Sequence, residues 1–142
     1  MSESNLEQNY VLVDYYKGAY GPTIRIDIQS GLLLLKFKEL ISVLASGKEK
    51  EIRLSEIEFV KLNGIRTFVM KIDSRCNMFD KCLKLISVNH EEKDFWWALN
   101  QDGWLNCDGL MEGITGQGHQ YLNHMTEGVD DALVELSFKE AL

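Results

Sequence analysis

Long apolar runs are missing from this sequence: the longest aliphatic stretch, Leu32 to Leu35, falls far short of the roughly 20 residues a membrane-crossing helix needs. The opening MSESNLEQN has no basic region followed by an apolar one, so no signal peptide is expected. A cytoplasmic protein without a membrane partner is the expectation. Cysteine is scarce as well. The three present, Cys76, Cys82 and Cys107, are an odd number outside any secretory context, which suits reduced thiols and not a disulfide framework. Proline occurs once, at Pro22, and no repeat, low-complexity tract or linker divides the chain. Positive charge is in deficit, with 15 Lys and Arg against 22 Asp and Glu, a net charge of −7. No Lys/Arg cluster with interleaved aromatics occurs, and an acidic surface repels phosphate backbones, so direct nucleic-acid binding is not expected. Such a charge steers a protein toward a basic partner.

What is present is a globular composition. In 142 residues, 45% are hydrophobic and 26% charged, enough to bury a core without metal or disulfide staples. The polar first nine residues read as a flexible N-terminus, and residues 10–142 as a single domain.

Alternation places strands. In NYVLVDYY, Val11 and Val13 share one side, and in TIRIDIQ, Ile24, Ile26 and Ile28 face one way while Thr23, Arg25, Asp27 and Gln29 form a wet face. DYYKGAYGP turns the chain between them. Ser30 caps a helix over residues 31–46, where Leu33, Phe37, Leu40, Ile41 and Leu44 recur at helical spacing and Gly47 ends it. Asn63-Gly64 between two β-branched runs signals a hairpin that pairs Leu62 with Ile65 and Phe59 with Phe68 and sets Lys61 opposite Arg66. Ser55 and Glu58 at capping-box spacing argue against its first strand. KCLKLISV, DFWWALN and DALVELSF read as further strands, and a shorter helix near residues 104–115 carries Trp104, Cys107 and Met111. The expected fold is α+β, a mainly antiparallel sheet of about six or seven strands with one principal helix packed on it.

The best candidate for chemistry is GITGQGHQYLNH, residues 113–124. Its glycines follow a helix instead of opening one, and neither G-x-G-x-x-G nor G-x-x-x-x-G-K-[ST] is present, so it reads as a loop and not a phosphate cradle. Cys107, His119 and His124 are ligand types zinc accepts, yet they lack H-E-x-x-H or C-x-x-C spacing; no metal or cofactor is expected, and these three are weak metal candidates. A nucleophile would need Cys107 with His119 and Asp130, and G-x-S-x-G is absent, so no catalytic residue is assigned. The pairs Glu91/Glu92 and Asp130/Asp131 read as solvated charges in turns. Aromatics are the stronger signal. Trp96 and Trp97 must point to opposite faces of a strand, so either a helix covers both faces or one indole is left at the surface. Tyr16 and Tyr20 flank glycine in a loop of recognition-like composition, and Tyr121 lies beside His119.

In size, charge and lack of a catalytic motif the chain resembles bacterial immunity proteins that neutralise toxins, a compositional likeness that no residue motif carries. It implies a protein-binding domain, an inhibitor or immunity-type protein that meets a basic partner through acidic and aromatic residues. Two alternatives belong to other classes. One is a small-molecule-binding domain with a pocket near residues 103–124, lined by Trp104, His119 and Tyr121. The other is a metal-assisted hydrolase in which Cys107, His119 and His124 converge.

Overall fold

The computed structural model describes residues 9–76, 82–89, 92–123 and 130–139. Residues 1–8, most of the expected flexible N-terminus, and His124 lie outside that set. In chain order the elements are β1 (Val11–Gly18), β2 (Gly21–Ile28), α1 (Gly31–Ala45), β3 (Glu51–Arg53), a 3-10 turn (Leu54–Glu56), β4 (Val60–Asn63) and β5 (Ile65–Ile72). Then follow β6 (Leu83–Asn89), β7 (Glu92–Leu99), α2 (Gln101–Glu112), β8 (Gly118–Tyr121) and β9 (Leu133–Phe138).

The fold is α+β, with two helices and nine strands among the described residues, but the single antiparallel sheet expected from sequence is in fact two mixed sheets. A five-stranded sheet runs β4-β1-β2-β9-β8 and a four-stranded one β3-β5-β7-β6. Three pairings are parallel: β1 with β4, β2 with β9, and β5 with β7. The difference arises largely at Asn63-Gly64. Gly64 adopts the left-handed φ of +74° that the turn signal anticipates. Yet β4 leaves to pair with β1 while β5 pairs with β3 and β7, so the turn is a corner between sheets and not a hairpin. The expected pairs Leu62/Ile65, Phe59/Phe68 and Lys61/Arg66 are not made; Lys61 sits beside Leu12, and Arg66 binds Asp94. A positive-φ glycine between two β-branched runs serves either geometry, so the local pattern does not separate them.

Both helices start where a side chain caps them. Ser30 Oγ accepts the Leu33 amide at 3.4 Å, and Asn100 Oδ1 accepts that of Gly103 at 2.8 Å, which begins α2 three residues before the expected 104. The apolar stripe of α1 is buried as its spacing requires, with Leu33, Phe37, Ile41 and Leu44 in the core. Its polar stripe meets α2: Ser42 Oγ donates to Asp108 Oδ1 at 2.9 Å, and Gln101 Nε2 donates to the Ala45 carbonyl at 2.9 Å. One core cluster joins both sheets and both helices. At its centre Trp97 of β7 meets Trp104 of α2, with ring centroids 4.8 Å apart, and Phe68 lies edge-on to Trp97. The Trp104 indole N–H donates to the Lys71 carbonyl at 2.9 Å, tying α2 to β5. No helix among the described residues is long and apolar enough to cross a membrane.

Candidate functional site

Strand register assembles the outer face of the five-stranded sheet into cross-strand rows. Asp14 of β1 lies beside Arg25 of β2, Arg25 beside Glu135 of β9, and Glu135 beside Tyr121 of β8. The row on one side is Leu12, Asp27, Ser137 and His119, and that on the other is Tyr16, Thr23 and Leu133. Arg25 is the hub. Its guanidinium donates to Ser137 Oγ at 3.1 Å and forms an ion pair with Glu135 at 3.9 Å. The side expected to be wet is largely enclosed, with Asp27, Thr23 and Ser137 buried.

Tyrosines close one end of this face. β1 runs on to Gly18, so Tyr16 stands on a strand and only Ala19 and Tyr20 form the turn, with Tyr20 72% exposed. Tyr16 and Tyr121 both lie in the field of the Glu135 carboxylate, and burial together with that negative charge raises both phenols above the ordinary tyrosine range. Tyr20 lies near Tyr121, and His119 meets Tyr121 edge-on with centroids 5.9 Å apart. Asp14 Oδ1 is enclosed without a hydrogen-bond partner among the described residues, and burial raises its carboxyl despite the opposing charge of Arg25.

The structure therefore brings together Tyr16, Tyr20, His119 and Tyr121, distant in sequence. The three tryptophans part company. Trp97 and Trp104 are fully buried in the core and leave the set of binding candidates, because α2 covers the inner side of β7. Trp96, on the outer side, is 43% exposed, with Lys71 Nζ 3.7 Å from its ring centroid. Nearby, Asp94 accepts from Arg66 Nε at 2.9 Å and Thr67 Oγ1 at 2.8 Å, and also from the second Arg66 nitrogen and Ser87 Oγ. The bonds from Arg66, then Ser87, hold its carboxyl well below the usual carboxylate range.

Cys107 and His119 are not brought together. Cys107 faces the core from α2, where burial pushes its thiol far above the usual range and keeps it protonated, while His119 is exposed on β8. Among the described residues no group of three or more His, Cys, Asp or Glu side chains is placed to hold a metal. The segment read as a loop holds the edge strand β8, which is what orients His119 and Tyr121.

A cavity of about 300 Å³ opens between α2 and β8, where a pocket was expected. Tyr121 lines it with Leu99, Gly103, Asn106 and Leu110; Trp104 and His119 do not. Its floor includes Asp130, which sequence reasoning had left to solvent. Asp130 Oδ1 accepts the Cys82 and Leu83 amides at 2.7 and 3.0 Å, and its Oδ2 accepts Asn123 Nδ2 at 2.8 Å. Asp131 Oδ2 accepts the Leu85 amide at 2.7 Å. The two carboxylates thus clip β6 of one sheet to the entry of β9 in the other. No local signal marks this, because the partners lie more than forty residues away.

No family model, no curated protein and no solved structure matches the chain.

Proposed function

We propose that this is a protein-binding domain, an inhibitor or immunity-type protein of the cytoplasm, whose five-stranded sheet presents an acidic, tyrosine-bearing outer face to a basic protein partner. The observation that carries this reading is the grouping of Tyr16 and Tyr121 beside Glu135, with the exposed Tyr20 near Tyr121. Tyrosine gives large contact area at low entropic cost and is enriched at energetic centres of interfaces. On the three central strands of that face Asp14, Asp27 and Glu135 stand against Arg25 alone, so the field favours an incoming cation.

The test is a pull-down from the native cytosol at low and moderate salt, with a folded Tyr16→Ala/Tyr20→Ala variant and a Trp96→Ala variant alongside. The expected result is one stoichiometric basic protein that weakens with salt and is lost from the tyrosine variant. Retention of the same partner by the tyrosine variant sinks the assignment to this face.

The cavity beside α2 supports a second reading, a small-molecule-binding domain. Its volume is at the lower end of the range that takes metabolites, and a lining that mixes Leu99, Leu110 and Leu122 with Asn106, Gln120 and Asn123 suits a ligand that is partly apolar. A metabolite panel scanned by melting temperature checks it: a saturable rise supports ligand binding, and a flat panel removes it.

A further inference from the structure

The outer face of the four-stranded sheet differs chemically from that of its neighbour. One row crosses all four strands: Arg53 of β3, Val69 of β5, Trp96 of β7 and Lys84 of β6. Lys71 stands in the next row with its ammonium over the indole. Val69 and Ala98 are buried beside the half-exposed indole, so Trp96 forms the top of a small apolar platform. Among the described residues, three cations surround it with one carboxylate, Glu51, which Arg53 engages at 3.1 Å. Asp94, one row away, is engaged by Arg66, Thr67 and Ser87. The excess charge at the indole is that of Lys71 and Lys84, in a chain where acids outnumber bases 22 to 15.

We propose that this face is a second docking surface, and that its occupant is an acidic polypeptide segment laying an apolar or aromatic side chain on Trp96 and carboxylates on Lys71 and Lys84. An exposed tryptophan ringed by cations is the composition of an interface centre with a polar rim. Charge complementarity selects an acidic occupant, and two copies of the chain paired face to face would oppose these cations to themselves. Strand addition at the sheet edge is closed over the first part of β6, because Asp130 and Asp131 already take the Leu83 and Leu85 amides. An occupant at the indole therefore lies on the face and not along that part of the β6 edge. A single-stranded nucleic acid is disfavoured, since one exposed indole offers one stacking platform and the net charge of −7 opposes a phosphate chain. This surface is separate from the tyrosine face, and either assignment can fail without the other.

The test uses the full chain and fluorescence anisotropy with a short labelled glutamate peptide bearing a central phenylalanine, against a lysine counterpart and labelled oligothymidylate. Saturable binding of the glutamate peptide is expected, weakened about tenfold or more by Trp96→Ala and abolished by Lys71→Glu/Lys84→Glu. The Tyr16→Ala/Tyr20→Ala variant binds as wild type does, and circular dichroism and melting establish that each variant is folded. No saturable binding of the glutamate peptide, or loss in the tyrosine variant equal to that in Trp96→Ala, overturns the proposal. So does tighter binding of oligothymidylate, or sedimentation showing a dimer that Trp96→Ala dissolves.

Discussion

Replacing Asp130 with alanine removes the clip between the two sheets, and its effect can be worked out from the bonds it makes. Three donors lose their acceptor: the Cys82 and Leu83 amides and the Asn123 side-chain amide. Asp130 is 7% exposed, so water reaches the vacated positions only from the cavity side. Hydrogen bonds to a charged group are worth about 1.5–3 kcal/mol each, while removing the carboxylate also relieves its desolvation, so the sum is not simply additive. A loss of about 3–5 kcal/mol is expected, a large share of the roughly 5–15 kcal/mol that holds a domain folded. Asp130→Asn keeps an acceptor for the two amides but turns an NH₂ group toward that of Asn123. Asn123 cannot flip to accept it, since its Oδ1 takes the Val134 amide at 2.7 Å and its Nδ2 also donates to the Ala132 carbonyl at 2.9 Å. The asparagine variant should therefore fall between alanine and wild type. Asp131→Ala, with one bond to Leu85, should cost about 1–3 kcal/mol. Equilibrium urea unfolding followed by tryptophan fluorescence measures all three. An unfolding free energy for Asp130→Ala within about 0.5 kcal/mol of wild type would refute the clip and restore Asp130 to solvent.

The tryptophans separate in the same assay: Trp97→Ala and Trp104→Ala should each cost about 3–5 kcal/mol, and Trp96→Ala under about 1 kcal/mol, with equal costs contradicting the assignment of faces. Asp94 has a depressed native pKa, so its contribution is fully present above the unfolded value near about 4 and is lost as pH falls toward the native one. Acid titration of stability should show that loss in wild type and a flatter limb in Asp94→Asn; superimposable limbs refute it. Asp14, raised by burial, has the opposite sign: ionising it opposes folding above the ordinary carboxylate range, so Asp14→Asn should match or exceed wild-type stability at neutral pH, and a clear loss would contradict the burial argument. Gly109 lies inside α2 with open space where a Cβ would go, and Gly109→Ala should raise stability by up to about 1 kcal/mol; a lowered melting temperature would count against it.

Much of this was legible in local pattern. Alternation correctly placed Val11, Val13, Ile24, Ile26 and Ile28 in the core, and Ser30 marked the start of α1. Period two also required Trp96 and Trp97 to diverge, though not which one would be covered, since that depends on where α2 lands. Pattern states which side of a strand is apolar and is silent about what packs on the other. Hence Thr23, Asp27 and Ser137, polar and read as wet or unremarked, are buried by the network on their own sheet. The grouping of Tyr16 and Tyr20 with Tyr121 depends on β9 lying between β2 and β8, a pairing set by long-range packing.

The position of β9 also bears on how the molecule folds. It sits inside the five-stranded sheet, with Ile24 beside Val134, so a central strand is matched to a neighbour from the far end of the chain. Such pairing must meet the entropy of closing a very long loop before its contacts are gained, which slows folding and leaves the edges of β2 and β8 open meanwhile. Glu135, around which the tyrosines gather, takes its place only when that strand docks. The tyrosine face thus exists only where β9 has docked, and a chain in which it has not lacks the surface proposed to bind.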